Sequence, residues 1–327
     1  MTRKTARSDE AMAEKWRGAI RKEYVFYRIM IWGLKIIGLR GCYILSGFVV
    51  VFYVLLNSRA RSASRNYFLK LGFRDNPLAS LVRTWRHFYR FSQILLDRMH
   101  VAVAPPDFFK VDYTNKDKFT EMMQSSQGML VIGSHLGNFE LAASLTRVFD
   151  KPVYLMMMKV HEERLKLFLD ALHQKRSYSV IDLADPLKAS QEAVERMKQG
   201  AVVCVMGDRE LHRKNLNSRF LGHPIKLPLG PFQLASYAGV PVFFVWCLKE
   251  KTDRYHVINP GPFPQSVVDN AADRVKAAMQ LVDDYMAQVE QIVRKYPYQW
   301  FNFYDFWDEP GDPSPGSGEH RKSLDQG

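Results

Sequence analysis

Two side chains suited to acid–base chemistry stand five positions apart in the stretch MLVIGSHLGNFELAASL, Met129 to Leu145: His135 and Glu140. A carboxylate that accepts a hydrogen bond from one ring nitrogen fixes the tautomer of an imidazole and raises the basicity of the other nitrogen. That second nitrogen can then take a proton from an attacking hydroxyl or amine, a contribution of about 10²–10⁴ in rate. The plainer alternatives are a hydrogen-bonded structural histidine and a helix-dipole carboxylate. A second place is AVVCVMGDRE, Ala201 to Glu210, where another apolar run ends in glycine with Asp208 and Arg209 just beyond. If the two strands put their ends on one edge, Arg209 could hold a phosphate or polarise an acyl carbonyl. An Asp–Arg ion pair at a strand end is the competing explanation. Arg213, Lys214 and Arg219 follow in a polar loop that could grip the same anion.

The elements that must position these residues can be read from pattern. Met129 to Ile132 is apolar and stops at Gly133-Ser134, and a helical pattern follows, so the expectation is strand, tight turn, helix. Asn138 suits the N-cap of that helix, and a carboxylate one or two places further in suits the positive end of its dipole. In α/β sheets ligands bind at such turns. Further strands are expected over Val153–Met157, Tyr178–Ile181, Ala201–Met206, Val242–Trp246 and Tyr255–Ile258. Helices are expected over Phe139–Phe149, Glu162–Lys175, Pro186–Gln199, Gly230–Ala238 and Ala271–Lys295. This alternation predicts an α/β fold with a central, mostly parallel or mixed sheet flanked by helices.

Several chemistries are set aside. The chain has no G-x-S-x-G, P-loop, G-x-G-x-x-G or H-E-x-x-H; His161-Glu162-Glu163-Arg164 comes nearest and lacks the second histidine. Cys42, Cys204 and Cys247 are widely spaced and form no C-x-x-C, which disfavours a disulfide framework or a zinc site and fits a reducing compartment. Neither a metal nor a nucleotide is called for.

The 327 residues carry a net charge of +12, and the whole excess lies in residues 1–100, which hold 19 Lys and Arg against 6 Asp and Glu. Such a block could face nucleic acid, an anionic membrane or an acidic partner. Nucleic acid is disfavoured, because the charges flank a long apolar segment and no zinc-finger spacing or RNA-binding signature occurs. Residues 1–23 read as a basic helix or frayed arm, and from Tyr24 to Leu56 the chain is apolar except for Arg28, Lys35 and Arg40. The charge-free part, Gly41 to Leu56, would span about 24 Å as helix against a hydrocarbon core of about 30 Å. Extending back to Ile29 takes in Lys35 and Arg40, each costing roughly 2.5–3.5 kcal/mol at mid-bilayer. A helix or helical hairpin dipping into one leaflet therefore fits better than a clean span, with a buried core helix as the alternative. A cleaved signal peptide is not expected, since the apolar region starts late and shows no small-residue cleavage site. Residues 57–98 interleave nine basic residues with seven aromatics, a composition suited to a head-group layer. The expected division is a basic arm, 1–23; a membrane-associated helical region, 24–104; an α/β domain, 105–308; and a Pro/Gly/Ser-rich disordered tail, 309–327.

HLGNFE, His135 to Glu140, resembles the H-x4-D/E motif of glycerolipid and lysophospholipid acyltransferases. The whole chain is similar to the branch that includes the lipid A late acyltransferases (lauroyl and myristoyl transferases) and the phosphatidylinositol mannoside acyltransferases. WRGAIRKEYVFYRIMIWGLKIIGLRG from Trp16 looks like that branch's N-terminal membrane helix. GDRE followed by RFLGHPIKLPLGPFQLASYAGVPVFF, Arg219 to Phe244, resembles its second signature, and YPYQWFNFYDFW its P-x-Q-W ending. The resemblance implies that His135 is the general base and Glu140 its orienting partner. It implies a thioester donor, on acyl carrier protein or coenzyme A, attacked directly by the acceptor hydroxyl with no covalent enzyme intermediate and no further cofactor. A basic residue after the second strand is also implied, with Arg176 as counterpart, and Asp208, Arg209 and Asn138 are expected at the substrate. Asp208-Arg209 departs from the D-H-D or D-Q of many lipid A enzymes and looks more like a side branch found with polyene-pigment or glycolipid gene sets, which leaves the acceptor open.

The expectation is therefore a membrane-associated O-acyltransferase on the cytoplasmic face of the inner membrane. Its acceptor would be a lipid hydroxyl such as that of a lipid A precursor, and nucleic acid is not an expected partner. Its rivals are an acyl thioesterase, in which the same base activates water, and a non-catalytic lipid- or carrier-binding protein.

Overall fold

The computed structural model describes residues 3–307 apart from 102–103, 106, 147–148, 159–177, 210–214, 264, 266 and 269, with side chains from residue 29 onward except that of residue 144. The helix expected over Glu162–Lys175, Arg176, Arg213, Lys214 and the expected tail lie outside the described residues.

Three helices come first: α1 (Arg3–Leu56), α2 (Ser58–Lys70) and α3 (Pro77–His100). α1 is broken at Gly38, whose φ of 69° and ψ of 174° lie in a region glycine alone enters freely. The part beyond the break, Leu39 to Leu56, runs for about 27 Å with one face laid along α3. Trp85 Nε1 donates to the Gly47 carbonyl at 3.2 Å and Ser92 Oγ to Ser46 Oγ at 3.1 Å, while Val50 and Val54 bury against Phe88. Trp32 and Ile36 before the break and Ile44, Phe48 and Phe52 beyond it are exposed, and Ile29–Leu56 is long and apolar enough to cross a membrane by length and composition. Asparagines start the next two helices: the Asn57 and Asn76 side chains accept from Ala60 and Ala79 N–H, and Pro77 takes the first helical position, where no N–H is needed.

The α/β part follows, with β1 (Lys110–Tyr113), α4 (Lys116–Gln124), β2 (Met129–Gly133), α5 (Phe139–Leu145), β3 (Val153–Met157), β4 (Ser179–Asp182), α6 (Pro186–Lys198) and β5 (Val202–Met206). The hairpin β6 (Asn215–Phe220)–β7 (His223–Pro228), α7 (Leu229–Ala238), β8 (Val242–Phe244), β9 (Trp246–Lys251), β10 (Arg254–Ile258) and α8 (Ala271–Lys295) complete it. The main sheet has five parallel strands in the order β4-β3-β5-β2-β8. Its central strands are apolar on both faces, as a sheet covered on both sides requires. Leu130, Ile132, Val203 and Phe244 pack with Ala193, Phe232, Leu281 and Tyr285 of α6, α7 and α8. On the other face Met129, Val131 and Val202 pack with Met123 of α4.

The strand expected over Val242–Trp246 divides. β8 stays in the main sheet, and after Val245 the chain enters a separate mixed sheet, β1-β10-β9, in which β1 runs parallel and β9 antiparallel to β10. β1, α4, β6, β7 and β9 are elements the sequence pattern did not announce.

Candidate active site

β2 and β5 are neighbours at the centre of the sheet, and their register pairs Gly133 with Met206 at the last position of each. His135 and Asp208 each lie two residues past that pair, so they emerge side by side at the C-terminal edge. The Asp208 carboxylate takes two hydrogen bonds from His135, one from the backbone N–H to Oδ2 and one from ring Nδ1 to Oδ1, both 2.8 Å. Asn302 Nδ2 adds a third at 3.2 Å. Asp208 is buried; burial pushes its carboxyl up, but the imidazole, these hydrogen bonds and the Arg209 charge outweigh it and hold the carboxyl below its ordinary range. An ionised Asp208 keeps the proton on Nδ1, which leaves the Nε2 lone pair able to accept one.

The loop carrying His135 is stitched down on both sides by main chain. Phe301 N–H donates to the His135 carbonyl at 2.7 Å and Gly137 N–H to the Gln299 carbonyl at 2.9 Å, while Asn138 N–H donates to the Cys247 carbonyl of β9 at 2.7 Å. The aromatic ending therefore forms one wall of the site. Gly137 has φ 74°, and a β-carbon there would stand 2.2 Å from the Cys247 carbonyl oxygen, so the position admits glycine alone. Asn138 is wholly buried: its Oδ1 accepts from Leu141 N–H at 3.1 Å, capping α5, and its Nδ2 donates to Tyr255 OH at 3.3 Å. The cap expected at this position is present, and the side chain is engaged within the protein.

Glu140 lies in the first turn of α5, yet its carboxylate does not bond the imidazole. It pairs instead with Arg98 of α3, Nε to Oε2 at 2.6 Å, both side chains being about a quarter to a fifth exposed (24% and 21%). The reason is geometric. The turn His135–Asn138 passes between β9 and the Gln299–Phe301 segment before the helix starts, and the neighbouring strand end brings Asp208 to Nδ1. Burial raises the Glu140 carboxyl above its ordinary value, with Arg98 opposing the shift. Arg209 Nε donates to Asn302 Oδ1 at 3.2 Å and a terminal nitrogen to the Phe301 carbonyl at 3.3 Å, with its guanidinium over the Tyr304 ring.

His135, Glu140, Arg98 and Arg209 border one cavity of about 840 Å³, with Val131, Leu155, Met157, Cys204, Leu229 and Leu234 among its apolar lining residues. That volume lies in the range of sites that take a whole organic ligand. The His135 side chain is 26% exposed at its mouth. The structure thus brings together His135, Glu140, Asp208 and Arg209, and shows Asn138 beneath them. Two contributors carry no sequence signal: Arg98 sits among several basic residues of α3, and Asn302 lies inside the aromatic run. Asp208 in its observed contact was legible in one respect, since it stands as far past its apolar run as His135 does past its own.

A parallel sheet with a fixed imidazole–carboxylate pair and an apolar cavity at its C-terminal edge suits an enzyme acting on lipophilic groups, by transfer or by hydrolysis. The sequence profile of the bacterial lipid A biosynthesis acyltransferases matches residues 23–308, and the chain belongs to that family. It is an O-acyltransferase. Among curated proteins it is similar to the phosphatidylinositol mannoside acyltransferase of Mycolicibacterium smegmatis, 22% identical over 231 residues that make up 70% of each chain. A protein of the same name from Mycobacterium tuberculosis H37Rv is 23% identical over 58% of each chain. Among solved structures, the 1-acyl-sn-glycerophosphate acyltransferase PlsC of Thermotoga maritima aligns at a TM-score of 0.36 and 10% identity over 83% of this chain and 98% of that one. At that distance the assignment rests on the family match.

Proposed function

We propose that this protein moves a fatty acyl group from a thioester, on acyl carrier protein or coenzyme A, to a hydroxyl of a glycolipid at the cytoplasmic face of the inner membrane. The observation that carries the reading is His135, tied through Nδ1 to a buried carboxylate and opening onto an apolar cavity. In the proposed reaction Nε2 accepts the proton of the acceptor hydroxyl as its oxygen forms a bond to the thioester carbon. Asp208 stabilises the imidazolium, and Arg209 faces the negative charge that collects on the carbonyl oxygen. Collapse breaks the C–S bond, and the proton on Nε2 passes to the departing thiolate.

A glycolipid acceptor is supported by the family and by the relatives named for phosphatidylinositol mannoside. The long apolar face of α1 supports attachment to the membrane. α3 lies along the same helix and carries Arg83, Arg86 and Arg90; sinking these to mid-bilayer would cost roughly 2.5–3.5 kcal/mol each. The helices are therefore proposed to lie in the plane of one leaflet, with basic residues at the head groups.

The test uses full-length protein in mixed micelles. The donor is an acyl-carrier thioester or acyl-coenzyme A, and the acceptor is a lipid A precursor or a phosphatidylinositol mannoside, with products read by mass spectrometry. The expected product is an acceptor heavier by one acyl group, lost in His135→Ala. Release of free fatty acid at the same rate with and without acceptor would overturn the reading in favour of a thioesterase.

A further inference from the structure

Arg98 reaches the site from a helix that none of the motifs marks. Its guanidinium grips Glu140 through Nε and lies over the Phe139 ring, with its charge 5.0 Å from the ring centre. Both members of the pair line the same cavity as His135. The pair is about a fifth to a quarter exposed, so removing one partner would leave the other charge largely shielded from water, and some structural role is expected. It also shapes the site. Arg98 draws the Glu140 carboxylate aside while Asp208 occupies Nδ1 of the imidazole. Glu140 is left with its carboxyl group held in a mainly apolar wall: Oε2 is paired with Arg98, and several acceptor positions remain on the group. The chemistry such a group recognises is a hydroxyl-bearing head group presented at the cavity mouth, next to the base.

We propose that Arg98 is a positioning residue for the acyl acceptor: it holds Glu140 so that this carboxylate accepts a hydrogen bond from the polyhydroxylic head group whose neighbouring hydroxyl is delivered to His135. The inference rests on the acyl transfer proposed above. It separates two carboxylates by task, Asp208 for the base and Glu140 for the acceptor, and it adds to the site a residue of the membrane-facing helical layer. The anchorage of Arg98 is firm, because Asp97 beside it is locked into the body of the protein by Lys249 at 2.5 Å and by the Tyr43 and Tyr255 hydroxyls.

The experiment measures KM for acceptor and donor separately, with a lipid A precursor or phosphatidylinositol mannoside, whichever is acylated. The variants are Arg98→Met, Arg98→Lys, Glu140→Gln and the double variant Arg98→Met/Glu140→Gln. Losing a hydrogen bond to a charged group corresponds to roughly tenfold, so Arg98→Met and Glu140→Gln are each expected to raise the acceptor KM about tenfold with the donor KM within twofold. Arg98→Lys should recover part of the loss, and the double variant should be no worse than Glu140→Gln. Should Arg98→Met fail to fold, Arg98→Lys and Glu140→Gln carry the same KM comparison. An acceptor KM within twofold of wild type, a change confined to donor KM, or additive losses in the double variant would each overturn the inference. If His135→Ala leaves transfer intact, the function itself falls; if it abolishes transfer while Arg98→Met leaves acceptor KM unmoved, this inference alone falls.

Discussion

The sheet edge and the helical layer each hold a histidine and an aspartate, bonded to each other at the edge and to separate partners in the layer, and the two sets have opposite fates. At the edge, His135 spends Nδ1 on Asp208 and keeps Nε2 toward the cavity. In the layer, His87 spends both nitrogens: Ser64 Oγ donates to Nδ1 at 3.0 Å, and Nε2 donates to the Trp300 carbonyl at 2.7 Å. Asp208 serves a ring that opens to a cavity, whereas Asp97 and Lys249 face each other at 0% and 1% side-chain exposure with two tyrosines closing the cluster. Residue type is the same in both places, and access decides the use. A titratable group with a free lone pair at a cavity can move a proton, while one with every polar atom engaged can only hold elements together. Trp300 links the regions, because its carbonyl accepts the hydrogen bond from His87 Nε2 while the segment around it pins the His135 loop.

Substitutions can break this contrast. His135→Ala should lower acyl transfer by about 10²–10⁴ with little change in unfolding, and Asp208→Asn by up to about 10⁴ by misdirecting the tautomer; steady-state rates with a thioester donor check both. Retention of near-wild-type rate in either would remove the distinction between the two histidines. In the sealed cluster, Lys249→Met leaves Asp97 buried without its cation and should cost about 3–5 kcal/mol, read as a shift in the denaturant midpoint. A loss under about 1 kcal/mol would mean the cluster is not the lock it resembles.

Acid separates the regions further. Burial depresses the His87 pKa from 6.5 to about 4, with the Trp300 contact opposing. Between those values the unfolded chain binds the proton and the folded one does not. The stability His87 contributes is therefore whole above pH 6.5, is lost as pH falls toward 4, and amounts to on the order of 3 kcal/mol. Stability measured from pH 7 to 4 should fall, and His87→Phe should flatten that fall; an unchanged slope would contradict a buried neutral His87. The smallest effect is expected on the outer surface, where Arg59→Gln should weaken binding to anionic vesicles by about 1 kcal/mol, roughly fivefold, in a sedimentation assay. Equal binding would place Arg59 away from the head groups.

Where a segment is long or strongly periodic, its element was legible. α8 spans the expected Ala271–Lys295, β3 the expected Val153–Met157, and the strand–turn–helix around His135 formed with Asn138 as its cap. The unannounced strands are short and mixed in polarity, KVDY in β1 and NLNSRF in β6. They form because a partner strand lies beside them, which no local pattern records. Within the site, the motifs singled out His135, Glu140 and Asp208 but expected Glu140 to be the ring's partner, where the structure places Asp208.

The sequence by itself determined which side chains could do chemistry: an apolar run ending in a turn exposes whatever follows it, and that is a local property of the chain. It also determined the family and the apolar, basic character of the first hundred residues, because both are properties of order and composition. Only the tertiary structure decided that Asp208 meets His135, through the register of two strands more than sixty residues apart in the chain. It likewise decided that Arg98 takes Glu140, through a helix packed over the site. Pairing across a sheet depends on neighbours that are distant in sequence, and spacing along one strand contains no information about them.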